Sequence, residues 1–139
     1  MDETDADRVA LRFVNEINRH DVEALLALTS PDHVFVDARG HEVRGRDRLR
    51  EAWTARFARC PDYRVVIEHH LHLGAVVGLF GTATGSDAEP GGDPAARRWK
   101  SPAAWRAVVR DGRIERWQVY GDEATMRRAL TEAVARPPV

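Results

Sequence analysis

Apolar side chains recur at helical spacing in three stretches of the first part of the chain. The first predicts a helix from Thr4 or Asp5 to about residue 18, and the second predicts a short helix capped by Asp21. The third begins at Gly45, ends before Pro61 and carries an amphipathic stripe. That stripe consists of Leu49, Ala52, Trp53 and Phe57. The sequence therefore predicts three helices before residue 61.

The hydrophobic period changes from about 3.6 to two after Pro61, which indicates strands. Long strands are predicted over residues 63–73, 75–84, 97–110 and 113–120, and Asp111-Gly112 predicts a hairpin between the last two. In the first long strand, strict alternation places one set of side chains on a single face: Tyr63, Val65, Ile67, His69, Leu71 and Leu73. The opposite face then carries Arg64, Val66, Glu68, His70 and His72. These strands make up the second half of the chain.

A short strand over residues 34–37 lies between the second and third helices, after a stop-and-turn signal at residues 29–32. Residues 41–43 are predicted to be extended. Helices first and antiparallel strands later indicate an α+β fold. We expect a strongly curved mixed or antiparallel sheet wrapped around about three helices, which leaves a conical cavity. The outer face of such a sheet must be covered or used in a dimer.

The 139 residues are expected to form a single domain, 1–139, with a flexible loop at residues 85–94 inside it. Asp122 can cap a last helix. Hydrophobic residues make up 43% and charged residues 31%, and the net charge is −1. No strong field is available to attract nucleic acid. No apolar run approaches the ~20 residues of a membrane helix.

Few cofactor or redox signals are present in the sequence. A single cysteine, Cys60, cannot form an internal disulfide, which suits a reducing cytoplasm. There is no GxGxxG after a strand and no P-loop, so no cofactor is expected. His69, His70 and His72 lack the spacing of a metal motif, and we expect them on a half-solvated sheet face; a proton-shuttling histidine in the cavity stays an alternative. No metal is expected.

Several segments, in this order and spacing, resemble the nuclear transport factor 2-like superfamily, and within it the bacterial SnoaL-like and ketosteroid isomerase-like branch. They are residues 13–25, 34–37, 45–53, 110–114 and 117–122. The resemblance covers about residues 5–135 and implies the cavity-forming α+β fold. It implies no single activity, because the superfamily hosts isomerases, cyclases, hydrolases, dehydratases and binding modules.

Ketosteroid isomerases use a carboxylate base with two oxyanion donors, a tyrosine and a protonated aspartic acid. The resemblance places the base at Asp37, whereas the tyrosine falls on Phe13 and the aspartic acid on Ala104 or Trp105. The two donors are therefore missing, and the chain is not expected to be a standard ketosteroid isomerase. SnoaL-like cyclases need an acid near the last strand. Asp122 comes closest to that position but is better explained as a helix cap.

Asp37 is the candidate catalytic residue, since a carboxylate at the mouth of an apolar enclosure can take a proton. The alternative is an aspartate that forms a turn with its own backbone near Gly40. Aromatic side chains on several elements are candidates for lining a pocket for a small apolar molecule. These are Phe13, Trp53, Phe57, Tyr63, Trp105 and Tyr120.

The sequence thus leaves three functions open. One is a cofactor-independent proton-transfer enzyme of the isomerase, cyclase or dehydratase type, with Asp37 as its base. The second is a non-catalytic ligand-binding or accessory domain with the same cavity, and the third is an interaction protein whose sheet face pairs with itself or another chain. In each case we expect a cytoplasmic, bacterial homodimer that pairs through the sheet face, with no nucleic-acid or membrane partner.

Overall fold

Three helices and six strands make up residues 3–86 and 98–121, the part of the chain that this computed structural model describes. The helices are α1 (Glu3–Arg19), α2 (Val22–Ala27) and α3 (Arg46–Arg59). The strands are β1 (Thr29–Val36), β2 (Glu42–Arg44), β3 (Arg64–Leu73), β4 (Val76–Ser86), β5 (Arg98–Arg110) and β6 (Arg113–Gly121). The predicted α+β class is confirmed.

The six strands form one mixed sheet in the order β2-β1-β6-β5-β4-β3. Among the five pairings of these strands, that of β1 with β6 is parallel and the other four are antiparallel. Because β1 comes early in the chain and β6 late, their pairing joins the helical part of the chain to the antiparallel meander. Strands from the early and the late part of the chain are thereby held in one sheet.

Local sequence signals set the ends of most elements. The Asp21 carboxylate accepts the backbone N–H of Ala24 at 3.1 Å, which confirms the predicted cap of α2. Asp111 and Gly112 both have positive φ, 52° and 75°, as the tight hairpin between β5 and β6 requires. Gly45 precedes α3 at φ 93°, a conformation that glycine adopts without strain.

Two element boundaries differ from the prediction. Residues 29–32 belong to β1, where the pairing with β6 shifts register between Thr29 and Val34, so the irregular stretch accommodates Pro31. β4 extends through Gly85 to Ser86, whose N–H and hydroxyl both bond Asp62 at 2.7 Å. The predicted last helix, and the rest of the predicted loop, lie outside the described residues.

A bulge in β3 overturns the predicted division of this strand into two faces. Ile67 pairs with Gly81 but His69 pairs with Phe80, which leaves Glu68 as an extra residue. Side chains after the bulge therefore change sides. His70 and His72 lie opposite the buried Leu79 and Val77 and share the inner face with Val65 and Ile67. His69, Leu71 and Leu73 lie on the outer face.

The core lies between the helices and the inner face of the sheet, and aromatic rings fill its centre. Phe13 of α1 is completely buried, with its ring centroid 4.6 Å from that of Trp117 and 6.0 Å from that of Trp53. Asn18 also fastens α1 to β3, since its side-chain amide exchanges two 2.8 Å hydrogen bonds with the backbone of Val65. These contacts fix the helix against the edge of the sheet.

Gly81 gives a test of the bulge. A Cβ atom at this position would collide with the backbone carbonyl oxygen of Val66, which cannot move without breaking the sheet pairing. We expect Gly81→Ala to lower the free energy of unfolding by about 1–3 kcal/mol or more. In Gly78→Ala, on the same strand, the added Cβ atom meets only the Phe80 ring at 3.4 Å. This substitution should change the free energy of unfolding by less than about 1 kcal/mol. Urea denaturation of both variants gives the comparison, and equal stabilities would contradict this account of the bulge.

His33 is a buried titratable group in the core. It is 1% exposed, and its Nδ1 lies 2.7 Å from the carbonyl oxygen of Ile114. Its Nε2 has no hydrogen-bond partner within the described residues. Burial lowers the pKa of His33, against smaller opposing effects of the Ile114 carbonyl and Asp32. The folded protein therefore holds this imidazole neutral.

The lowered pKa of His33 predicts acid sensitivity. As the pH falls below about 6.5, His33 becomes protonated in the unfolded chain but stays neutral in the folded chain. The free energy of unfolding should fall by up to about 1.4 kcal/mol per pH unit in this window, and the loss should stop below the folded pKa. His33→Gln removes this contribution while keeping a donor for Ile114, whereas His41→Gln, at an exposed site, should retain it. Urea denaturation across pH measures all three proteins; parallel profiles would refute the assignment.

Candidate functional site

A cavity opens between α3, the turn after β1 and the inner face of β4, β5 and β6. Its volume, including the part open to solvent, is about 680 Å³. Aromatic and small apolar side chains make up most of the lining. The lining residues are Phe35, Asp37, Ala38, Trp53, Arg56, Tyr63, Ala83, Trp99, Ser101, Ala103, Trp117, Val119 and Gly121.

Five aromatic residues form the walls of this cavity. Phe35 packs edge-on against Trp53 with 5.4 Å between ring centroids, and Tyr63 lies 6.1 Å from Trp99. Trp117, the fifth, is fully buried under the cavity. Rings held by such contacts are rigid, so the walls offer a preformed surface for a flat apolar ligand.

Asp37 follows β1 and is held by the turn that β1 makes toward β2. Its Oδ1 accepts the backbone N–H groups of Arg39 and His41, both at 2.9 Å, and its own N–H donates to the carbonyl of His41. Oδ2 lies 3.5 Å from His41 Nδ1, and about a third of the Asp37 side chain is exposed. The predicted turn-forming role is thus present, and the same side chain lines the cavity.

The remaining polar groups of the lining are mostly hydrogen-bond donors. The Arg56 guanidinium lies 5.5 Å from the centroid of the Tyr63 ring. Burial raises the pKa of the Tyr63 phenol, although Arg56 acts in the opposite direction, so the hydroxyl stays protonated at neutral pH. Ser101 donates to the carbonyl of Pro102 at 3.1 Å. The indole N–H of Trp117 is buried without a partner among the described residues.

Three of the seven residues predicted for the site line the cavity: Asp37, Trp53 and Tyr63. The other four lie elsewhere. Phe13 is buried in the core, Phe57 stacks on His20 at 4.3 Å, and Trp105 is buried away from the lining. Tyr120 lies at the end of β6 and is 44% exposed, because its neighbours Val119 and Gly121 take the cavity side of that strand.

The sequence pointed to none of the six cavity residues on β5 and β6. They are Trp99, Ser101, Ala103, Trp117, Val119 and Gly121. Every one occupies an odd-numbered position, so the period of two already grouped them on one face. What the alternation lacked was a marker of which face turns inward.

The structure shows which side chains take the place of the two oxyanion donors of ketosteroid isomerases. On β5 the cavity side chains are Trp99, Ser101 and Ala103, and none is acidic; Ala104 and Trp105 do not belong to the lining. On α1 the ring of Phe13 supplies no hydroxyl. Within the described residues, the cavity therefore contains a single carboxylate, Asp37.

His70 and His72 form a separate cluster with Asp7 of α1. The ring nitrogens of the two histidines lie 3.5 and 3.6 Å from the Asp7 carboxylate. They face the helix because the β3 bulge turned them inward. Across residues 3–86 and 98–121, no three His, Cys, Asp or Glu side chains are arranged to hold a metal ion. The cluster ties α1 to β3.

The chain belongs to the SnoaL-like domain family, whose model matches residues 10–117. This match runs from the middle of α1 into β6 and includes most of the cavity residues described above, and it confirms the resemblance. A sequence search among curated proteins gives no significant match. No helix of the described chain has the length and apolarity needed to cross a membrane.

Solved structures share the fold at low sequence identity. A candidate SnoaL-like polyketide cyclase from Shewanella denitrificans superimposes with a TM-score of 0.81 at 18% identity, covering 91% of this chain and 97% of its own. A protein with a ketosteroid isomerase-like fold from Catenulispora acidiphila, solved with trimethylamine, gives 0.77 at 18%, covering 93% and 97%. An LEH-like epoxide hydrolase from M. tuberculosis gives 0.76 at 23%, covering 95% and 93%. These similarities establish the fold alone.

Proposed function

We propose that this SnoaL-like domain binds a small, largely apolar molecule in its cavity and transfers a proton on that molecule with Asp37. One observation carries the proposal: the only carboxylate among the described lining residues is held in a fixed orientation beside aromatic walls. Such a site favours proton transfer because the base is positioned before the ligand arrives. The named activities of the structural relatives, a polyketide cyclase and an epoxide hydrolase, are of a compatible kind.

The two oxygens of Asp37 have different surroundings. Oδ1 is occupied by the N–H groups of Arg39 and His41, whereas among residues 3–86 and 98–121 Oδ2 has only the exposed His41 ring at 3.5 Å. Oδ2 is therefore the oxygen that would accept a proton. In the alternative function, a non-catalytic binding domain, Asp37 has only a structural role. Its two hydrogen bonds then stabilise the turn and nothing more.

A chromogenic base probe separates these two functions. In 5-nitrobenzisoxazole a base removes the ring C–H proton while the ring N–O bond breaks, which gives a coloured nitrophenolate. We expect the wild type to accelerate this reaction and Asp37→Asn to lose at least roughly tenfold of that acceleration, because the amide cannot take the proton. Absorbance of the product follows the rate. The amide oxygen still accepts the N–H groups of Arg39 and His41, so the turn should persist.

The matched control is Asp47→Asn, whose side chain is 96% exposed on α3 and does not belong to the lining. Its rate should equal that of the wild type. Quenching of the cavity tryptophans by the probe should be the same in all three proteins. An unchanged rate in Asp37→Asn, with quenching intact, would leave the non-catalytic binding domain as the function.

We also propose that the domain forms a homodimer through the outer face of the sheet. Cross-strand pairing aligns several large apolar side chains on this face, and each is 40–85% exposed: Val66, Leu71, Leu73, Val76, Phe80 and Tyr120. A contiguous exposed apolar surface is typical of an interaction site. A net charge of only −1 opposes self-association weakly. The same patch on two copies can pair around a two-fold axis.

Leu71→Asp tests this interface, since the side chain is 66% exposed on the outer face. A buried carboxylate without a partner should favour the monomer and raise the dissociation constant at least roughly a hundredfold. Ala55→Asp, exposed on α3, adds the same charge outside the face and should stay dimeric. Sedimentation velocity of the three proteins shows the outcome; a monomeric wild type, or a dimeric Leu71→Asp, would exclude this interface.

A further inference from the structure

The polar groups of the cavity divide unequally between acceptors and donors. Oδ1 of Asp37 is taken by two backbone N–H groups, and the Ser101 hydroxyl donates to Pro102. The lining also carries side-chain donors: the Arg56 guanidinium, the Tyr63 hydroxyl and the indole N–H groups of Trp53, Trp99 and Trp117. Such an excess of donors fits a ligand that carries oxygen acceptors.

Arg56 is the cation of this set. It belongs to the last turn of α3, and no carboxylate of residues 6–86 or 98–121 lies within ion-pair distance of it. By contrast, Arg44 at the end of β2 and Arg50 in the same helix bind Glu42 and Glu23 at 2.9 and 2.7 Å. A positive charge in the last turn of a helix interacts favourably with the helix dipole. That effect explains a positive charge there, but it does not require the side chain to line a cavity.

Tyr63 holds the guanidinium in place. The 5.5 Å approach of Arg56 to the face of this ring is a cation–π contact, and it leaves the N–H groups at the guanidinium edge available. The Tyr63 side chain is partly buried, and its hydroxyl gains from any acceptor that the ligand supplies. One charged donor and one neutral donor thus stand side by side on the cavity wall.

We infer that Arg56 and Tyr63 form the binding site for an oxyanion of the ligand, so that the cavity takes flat apolar molecules bearing an acidic group. The inference rests on the proposed function, because it assigns the ligand class of the same cavity. Arginine recognises such a group through charge-assisted hydrogen bonds in a fixed planar geometry. The aromatic walls contact the apolar part of the molecule. Arg56 also offsets the negative charge of Asp37 when a second anion enters.

A matched pair of fluorescent probes tests the inference on the full chain. 1-Anilinonaphthalene-8-sulfonate is an anion, and N-phenyl-1-naphthylamine is the same molecule without its sulfonate. The wild type should bind the anion roughly tenfold tighter than the neutral probe or better. Arg56→Gln should abolish this preference by weakening the binding of the anionic probe alone. The affinity for the neutral probe should change by less than about twofold. Energy transfer from the cavity tryptophans reports binding.

Controls isolate the charge and the position. Arg56→Lys should recover part of the preference, whereas Arg48→Gln, exposed on the same helix and absent from the lining, should leave both affinities unchanged. Tyr63→Phe keeps the ring and removes the hydroxyl. It should therefore lower the affinity for the anionic probe severalfold without changing the affinity for the neutral probe. Tyr63→Phe decides the question if Arg56→Gln does not fold, as judged by circular dichroism.

The outcomes separate this inference from the proposed function. If neither probe binds the wild type, the ligand-binding function fails and the inference fails with it. If the neutral probe binds but the anion has no advantage, or keeps its advantage in Arg56→Gln, the oxyanion site is refuted while the cavity stands. Equal losses for both probes in Arg56→Gln would show that Arg56 only supports the wall.

Discussion

Packing of Phe13 against Trp53 and Trp117 is the contact on which the rest of this structure depends. Phe13 belongs to α1, Trp53 to α3 and Trp117 to β6, so one buried aromatic group joins two helices to the sheet. Trp53 and Trp117 also line the cavity. The core and the ligand cavity therefore share their side chains, and a change that loosens one deforms the other.

Most of the fold could be predicted from the sequence because its signals are local. Helical spacing, the Asp21 cap and the Asp111-Gly112 turn each depend on a few neighbouring residues, and the structure confirms them. The faces of β3 could not be predicted in this way. Glu68 becomes an extra residue only through the pairing of β3 with β4, and strict alternation carries no sign of that long-range register.

The candidate site was less predictable for the same physical reason. Trp53 was found because α3 borders the cavity, and Asp37 and Tyr63 lie directly beside the ends of β1 and β3. Trp99, Ser101, Ala103, Trp117 and Val119 were missed, since a strand shows which residues share a face but not which face meets a helix. Tyr120 was misplaced by one position along β6, enough to move it from the cavity wall toward the exposed outer face.

Asp37 does not have to be either a turn residue or a base, because its two oxygens are not equivalent. Hydrogen bonds from Arg39 and His41 immobilise Oδ1, and this fixes the direction in which Oδ2 points. A carboxylate held by its own backbone keeps its geometry without help from a neighbouring side chain. The oxyanion site that we propose can therefore use other polar groups of the cavity, Arg56 and Tyr63. The turn at the end of β1 thus supports a functional role for Asp37.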